Sequence, residues 1–320
     1  MIWLLTLKCF FIKKNIYVFL PETDTDSHYK LKKYKTIKYE SLQKCIKNEV
    51  CKIPGVNEKE ILEEFDNFTK EPRFEEIKKI DQEPYLLNKD NKLTYDELLA
   101  IYLYTTWNNS NSFDFIGNFK NTLAKGSTGY FNCYFEYFYN GLTKINPKYL
   151  KSDQLLYRGI MFENESLIQK YKKLKVGDGL SSQSFTSTTT IFSLAATYSI
   201  FSKKDIVFVI HQNQKNAHII EQFSRFSYEN EVIYPPETKF VVKEGIKDKY
   251  CSSLEDLSKC ADKKPEKHKE YDYIRIIEIE EKDYVPSYEE EANPFSSFGI
   301  KTGVSYWIFS FIYFLGFFLI

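Results

Sequence analysis

The strongest constraint on the fold is a change of hydrophobic period near residue 150. Before it, from about 38 to 146, apolar residues recur at helical spacing. In 92–107, KLTYDELLAIYLYTTW, Thr94 is a natural N-cap and Glu97 three positions on completes a capping box. Leu98, Ile101, Tyr102 and Thr105 then mark one buried helix face. A second helix is expected over 129–143, with Gly141 as its stop signal. After residue 150 short strand-like runs take over: 154–160, 182–190, 205–212, 217–223, 230–234, 239–245 and 273–280. One helix, roughly 191–202, interrupts them. Helices first and strands after predict an α+β fold, with a helical region ahead of a mixed or antiparallel β core. The charged stretch 245–272 reads as a surface excursion.

Charge excludes one class of function. Lys and Arg number 44 and Asp and Glu 44, so the net charge is zero, and no basic block stands out that could neutralise phosphates along a nucleic acid. The 27 Phe and 25 Tyr are first of all core volume, so aromatic stripes say little about function here.

The six cysteines, Cys9, Cys45, Cys51, Cys133, Cys251 and Cys260, contain no C-x-x-C pair, and the four histidines do not cluster with them. That spacing gives no reason to expect a metal site. Disulfides are the better reading if the chain enters an oxidising compartment. Residues 304–320 carry no charge, at the short limit for a membrane span. With Ser296 and Ser297 upstream they read as a GPI-anchor signal or a tail anchor. Residues 1–22 are apolar but broken by Lys8, Lys13 and Lys14, a mediocre targeting segment. The expected organisation is therefore a targeting segment at 1–22, a catalytic domain at 23–285, a Glu-, Ser- and Pro-rich linker at 286–303 and the tail. A monomer at the cell surface, held to the membrane by that tail, is expected.

Candidate chemistry centres on 226–240, FSYENEVIYPPETKF. If NEVIY is a strand, period two puts Glu229, Glu231 and Ile233 on one face, and Pro235-Pro236 ends the ladder. Two buried carboxylates sharing a face raise each other's proton affinity. Other Glu-x-Glu pairs, Glu58/Glu60 and Glu278/Glu280, read as solvated surface. Upstream, Arg158 interrupts an apolar strand and would need an anionic partner if buried. The run Phe185-Thr186-Ser187-Thr188-Thr189 offers hydroxyls that could cap a helix or orient a carboxylate.

Taken in order, Tyr157-Arg158-Gly159, then Phe185-Thr186-Ser187-Thr188-Thr189, then Glu229-Asn230-Glu231 and the proline pair resemble the R–S–E-x-E signature of the arginine-specific mono-ADP-ribosyltransferases. The likeness is to the vertebrate-type cell-surface enzymes and, more distantly, to bacterial binary toxins. It covers about 90–245. The resemblance implies a two-sheet cleft that binds NAD as a substrate, no metal, and arginine-bearing target proteins as acceptors. Arg158 would bind NAD, with Tyr157, Gly159, Ser187 and Thr188 beside it. Ser187 would hold the catalytic Glu231, whose carboxylate would bind the ribose 2′-hydroxyl and stabilise the oxocarbenium-like charge. Glu229 would serve the arginine acceptor, and Phe223, Arg225, Phe226 and Tyr228 would form the acceptor loop. Family habit also implies a disulfide from Cys45 or Cys51 to Cys251 or Cys260.

Two alternatives share these residues. NAD hydrolysis needs the same Arg158, Ser187 and Glu231 with water as acceptor. A non-enzymatic surface protein could retain the fold for binding alone. A two-carboxylate glycosidase would leave the arginine and hydroxyl motifs without a purpose.

Overall fold

The computed structural model describes residues 20–21, 31–34, 41–106, 113–160, 165–197, 206–263, 272–283 and 289–291. Two short strands, β1 (Leu20–Pro21) and β2 (Lys32–Tyr34), come first. The helical region follows: α1 (Leu42–Asn48), α2 (Glu58–Thr69), α3 (Pro72–Ile77), α4 (Tyr95–Thr106), α5 (Phe115–Ala124) and α6 (Asn132–Lys144). The sheet region contains β3 (Leu155–Ile160), α7 (Glu165–Lys172), β4 (Gly179–Ser181), β5 (Thr186–Thr189), α8 (Phe192–Thr197), β6 (Ile206–His211), β7 (His218–Ile219) and β8 (Glu231–Tyr234). It closes with β9 (Lys239–Cys251), β10 (Cys260–Ala261), β11 (Asp272–Glu281) and β12 (Glu289–Glu291).

The expected capping box forms as read. The Thr94 backbone N–H donates to Glu97 Oε2 at 2.8 Å, and the Glu97 N–H donates to Thr94 Oγ1 at 3.3 Å. The helix it starts is buried on every side from Glu97 to Thr106 rather than along one face, because α6 and the sheet enclose it. Gly141 is not a stop signal: α6 runs on to Lys144. A Cβ at Gly141 would stand 3.1 Å from Glu97 Cβ and 3.2 Å from Ile101 Cδ1, so glycine lets α4 and α6 approach closely.

Strand order is β1-β4-β9-β11-β6-β3-β5-β8-β7, with β10 on β9. The β11–β6 pair is parallel and its neighbours are antiparallel, which makes the sheet mixed. The path is continuous, but its two halves meet through one register pair, Tyr157 opposite Thr189. On either side of that joint the halves fold over a shared core: Leu156, Ile160, Phe208 and Ile277 from one, Val232 and Tyr234 from the other. The second core lies between the helices and the β5–β8 half, where Phe185 and Ile233 join Ile101, Phe119 and Phe138. Phe185 is its pivot, 4.5 Å from Phe138 and 5.8 Å from Phe119 by ring centroid. Burying such a ring stabilises by about 2 kcal/mol, and here it anchors the strand that carries Ser187.

Two other expectations change. The stretch from Gly245 to Cys251 is no surface excursion but continues β9, held by β11 and by β10. The disulfides are Cys45–Cys133, tying α1 to α6, and Cys251–Cys260, joining paired residues of β9 and β10. Neither of these bonds links an early cysteine to a late one, and Cys51 is a buried free thiol. Within the expected linker, Glu289–Glu291 pairs in parallel with β2. Leu20–Pro21, from the expected targeting segment, pairs with β4. The rest of residues 1–22 and the 304–320 tail lie outside the described residues. Among those described, no helix is long and apolar enough to cross a membrane.

Candidate active site

Strand register decides which motif residues meet. In β3, Arg158 shares the pleat face of Leu156 and Ile160, whereas Tyr157 turns to the opposite face and packs edge-on against Phe192 at 5.3 Å. In β5, Ser187 pairs with Ile233 of β8 and Thr189 with Glu231. Ser187 and Glu231 therefore lie on one face, toward the helical layer.

Arg158 is only 8% exposed. Its Nη1 donates to the Ser187 carbonyl, while its Nε is buried without a partner. An orphaned guanidinium N–H at a buried site is costly unless an anion arrives, so the group fits a phosphate-bearing substrate. The Ser187 hydroxyl hydrogen-bonds the Glu231 carboxylate. It also lies 3.1 Å from the Tyr104 hydroxyl, which is 3.3 Å from the Phe185 carbonyl. The Tyr104 hydroxyl itself donates to the Phe185 carbonyl. The contacts of Tyr104 with Ser187 and of Ser187 with Glu231 fix the carboxylate from a rigid helix. Burial raises the Glu231 carboxyl above its usual range, opposed by Ser187, Lys120 and Arg158.

Glu229 does not share the strand. It closes a 3-10 turn over Ser227–Glu229, and Asn230 then takes the left-handed conformation, φ 45° and ψ 50°, which asparagine tolerates better than most residues. The turn returns the chain to β8, whose first residue is Glu231. The alternation inferred for Glu231, Ile233 and Val232 holds, but Glu229 reaches the site through a turn. Its Oε1 is buried without a partner, and burial, then the Glu231 charge, pushes its carboxyl up to about 8. The Thr189 hydroxyl donates to the Glu229 carbonyl at 2.6 Å and so fastens the turn to β5.

Other expected residues separate. Thr188 faces away from Ser187, its hydroxyl bonded to the Val232 carbonyl at 2.8 Å, and acts as a staple between strands. Gly159 sits in the β3–β6 ladder opposite Val207. Phe223 is fully buried and packs against Tyr85 at 5.6 Å; it anchors its loop from beneath and is not placed to stack on an incoming group. Phe226 and Tyr228 form an edge-on pair at 5.9 Å, with Tyr228 58% exposed. Arg225 reaches Glu71 at 3.3 Å, and its N–H donates to Thr105 Oγ1 at 3.1 Å.

Tyr104 and Lys120 are the site residues that sequence patterning missed. Tyr104 is one of many buried aromatics in an apolar helix, so nothing local marks it. Lys120 had a signal, a lone lysine within FIGNFKNTLA. Among the described residues, no three metal-ligating side chains come together.

A family model described as NAD:arginine ADP-ribosyltransferase matches residues 39–263. No curated protein matches the chain. Solved structures give distant likenesses. HopU1, an ADP-ribosyltransferase of Pseudomonas syringae pv. Tomato DC3000, is 15% identical at TM-score 0.46, covering 77% of this chain and 100% of that one. Plx2a, an ADP-ribosyltransferase toxin from Paenibacillus larvae, is 17% identical at TM-score 0.43, covering 65% and 96%. Vis toxin, an ADP-ribosyltransferase from Vibrio Splendidus, is 17% identical at TM-score 0.37, covering 75% and 94%.

Proposed function

The chain belongs to the NAD:arginine ADP-ribosyltransferase family, and from that premise we propose that it transfers ADP-ribose from NAD to arginine side chains of target proteins, releasing nicotinamide. The observation that carries this reading is the convergence of Arg158, Ser187 and Glu231 from three separate strands, with Glu229 coupled to Glu231.

In this reading Arg158 takes an anionic part of NAD with the N–H that has no protein partner. A guanidinium donates in parallel to phosphate oxygens, which suits that task. Glu231 accepts a hydrogen bond from the ribose 2′-hydroxyl. As the bond from ribose C1′ to the nicotinamide nitrogen breaks, its electron pair leaves with nicotinamide and the carboxylate stabilises the positive ribose. A guanidinium nitrogen of the acceptor then bonds to C1′. Its proton passes to the ionised form of Glu229 as the new bond forms, since free arginine is far too basic to lose it beforehand.

A second reading has a specific support. With its carboxyl near 8, Glu229 is neutral at pH 7 and offers no charge to an acceptor guanidinium. Water would then compete as acceptor, and NAD hydrolysis would accompany transfer. Placement at the cell surface through the 304–320 tail, as a monomer, is part of the proposal; release by a phospholipase from expressing cells tests the anchor.

The decisive assay measures nicotinamide release and agmatine labelling by the wild type and Glu231→Gln. Loss of a transition-state charge partner costs about 100- to 1000-fold in kcat, so both activities fall together. A Glu231→Gln enzyme as active as the wild type would refute the assignment.

A further inference from the structure

One charged group at the site has no role in the chemistry described above. Lys120 lies in α5, and its ammonium stands 4.5 Å from the centroid of the Tyr104 ring, the same tyrosine whose hydroxyl contacts Ser187. The charged groups around it come from every neighbouring element: Arg158 on β3, Glu231 on β8 and Asp114 at the N-cap of α5. Among the described residues it forms no ion pair, and its ammonium rests on a ring face instead.

Charge at this site does not balance. Two cations, Lys120 and Arg158, face a single carboxyl, Glu231, that can offset them, because Glu229 is neutral until about pH 8. Arg158 is buried and Lys120 is half-buried beside it, and each repels the other. Burial and Arg158 together push the Lys120 ammonium down to about 8. Arg158 also keeps its buried Nε without a partner. A site with surplus positive charge and an unmet donor is arranged for a doubly charged anion.

Resting on the reading of NAD as substrate, we propose that Lys120 is a second substrate-binding cation that, together with Arg158, takes the diphosphate of NAD. The two cations divide the task by their chemistry. The fork of Arg158 is fixed by its bond to the Ser187 carbonyl, whereas an ammonium on a four-carbon stem swings to a phosphate without a set angle. In the free protein the Tyr104 face holds the ammonium in waiting. A dianion beside Lys120 raises its proton affinity, so NAD binding above about pH 8 draws a proton onto the lysine.

The test is direct calorimetric binding of NAD, ADP-ribose and nicotinamide riboside to the wild type, K120M and K120R. ADP-ribose carries the diphosphate and nicotinamide riboside does not. At pH 7, K120M loses about tenfold or more in affinity for NAD and ADP-ribose, the worth of one charge-assisted hydrogen bond. Its affinity for nicotinamide riboside stays within about twofold, and K120R recovers most of the loss. Unchanged ADP-ribose affinity in K120M, or an equal loss for nicotinamide riboside, overturns the proposal. Between pH 7 and 9 the wild type weakens more than K120R, because arginine keeps its charge; an equal fall in both assigns the effect to Glu229 and overturns the role of Lys120. That comparison stands even if K120M fails to fold. A wild type that binds neither NAD nor ADP-ribose refutes the substrate reading itself, whereas a wild type that binds both alongside an indifferent K120M refutes only the lysine.

Discussion

The Thr189 hydroxyl donates to the Glu229 carbonyl at 2.6 Å, so the strand that presents Ser187 also holds the turn that presents the second carboxylate. One strand thereby sets the positions of both glutamates. Thr189 pairs with Glu231 in the ladder and restrains Glu229 through its side chain. Thr189→Val removes only the second link and leaves a carbonyl short of its donor. Agmatine labelling should fall about fivefold, the worth of one hydrogen bond, while nicotinamide release without agmatine stays within about twofold. Equal loss of both activities would show that the bond supports the strand and not the turn.

On the proposed function, Glu229 should make the balance between transfer and hydrolysis depend on pH. Its carboxyl, raised to about 8 by burial and by Glu231, is neutral below that pH and charged above it. The ratio of agmatine labelling to hydrolysis should rise as pH passes through about 8, and Glu229→Gln should flatten it. Stability runs the other way. The folded protein binds this proton more tightly than the unfolded chain, so stability is lost as pH rises from the ordinary carboxyl range through about 8. Melting curves should therefore find Glu229→Gln more stable than the wild type at pH 9, by about 2 °C or more, with the gain shrinking toward pH 4.

Arg73 and Glu71 clamp the 222–225 loop, the proposed acceptor loop, from the helical layer. Arg73 donates from Nε to the Ser224 carbonyl at 3.3 Å and from Nη2 to the Gln222 carbonyl at 3.4 Å. Glu71 holds Arg225 at 3.3 Å and accepts from the Tyr102 hydroxyl. Arg73→Ala, at a position far in sequence from the motif, frees two loop carbonyls. The KM for agmatine should rise by about three- to tenfold, with the KM for NAD unchanged. A parallel rise in both would place the effect in general folding.

Gly141 is a packing prediction. A valine there would press methyl groups into Glu97 and Ile101, already 3.1 Å and 3.2 Å from an added Cβ. Overpacking of this kind costs about 1–3 kcal/mol, and thermal or denaturant unfolding of Gly141→Val should detect it. Stability equal to the wild type would mean that α4 and α6 separate without strain.

Much of the fold and the core of the site were legible from local pattern. The capping box at Thr94 and Glu97, the helical first half, the strand spacing of the second half and the stop at Pro235-Pro236 each follow from backbone chemistry within a few residues. Such rules act locally, and the sequence carries them whole. Arg158 and Glu231 could be nominated because their residue types are out of place where they stand, a cation in an apolar strand and carboxylates before a β run, whereas Ser187 was nominated through the motif resemblance.

What the sequence by itself determined was the order and kind of elements and a short list of charged groups that needed partners. Tertiary structure decided the partners. Pleat parity and register turned Ser187 toward Glu231 and Thr188 away from it. A left-handed Asn230 brought Glu229 in by a turn that strand alternation does not foresee. Helix packing set Tyr104 against Ser187 and Lys120 over Tyr104, and it closed Cys45 on Cys133 across 88 residues of chain. Contacts between distant segments depend on how layers stack and which faces meet. That is a property of the packed chain as a whole, and no window of residues contains it.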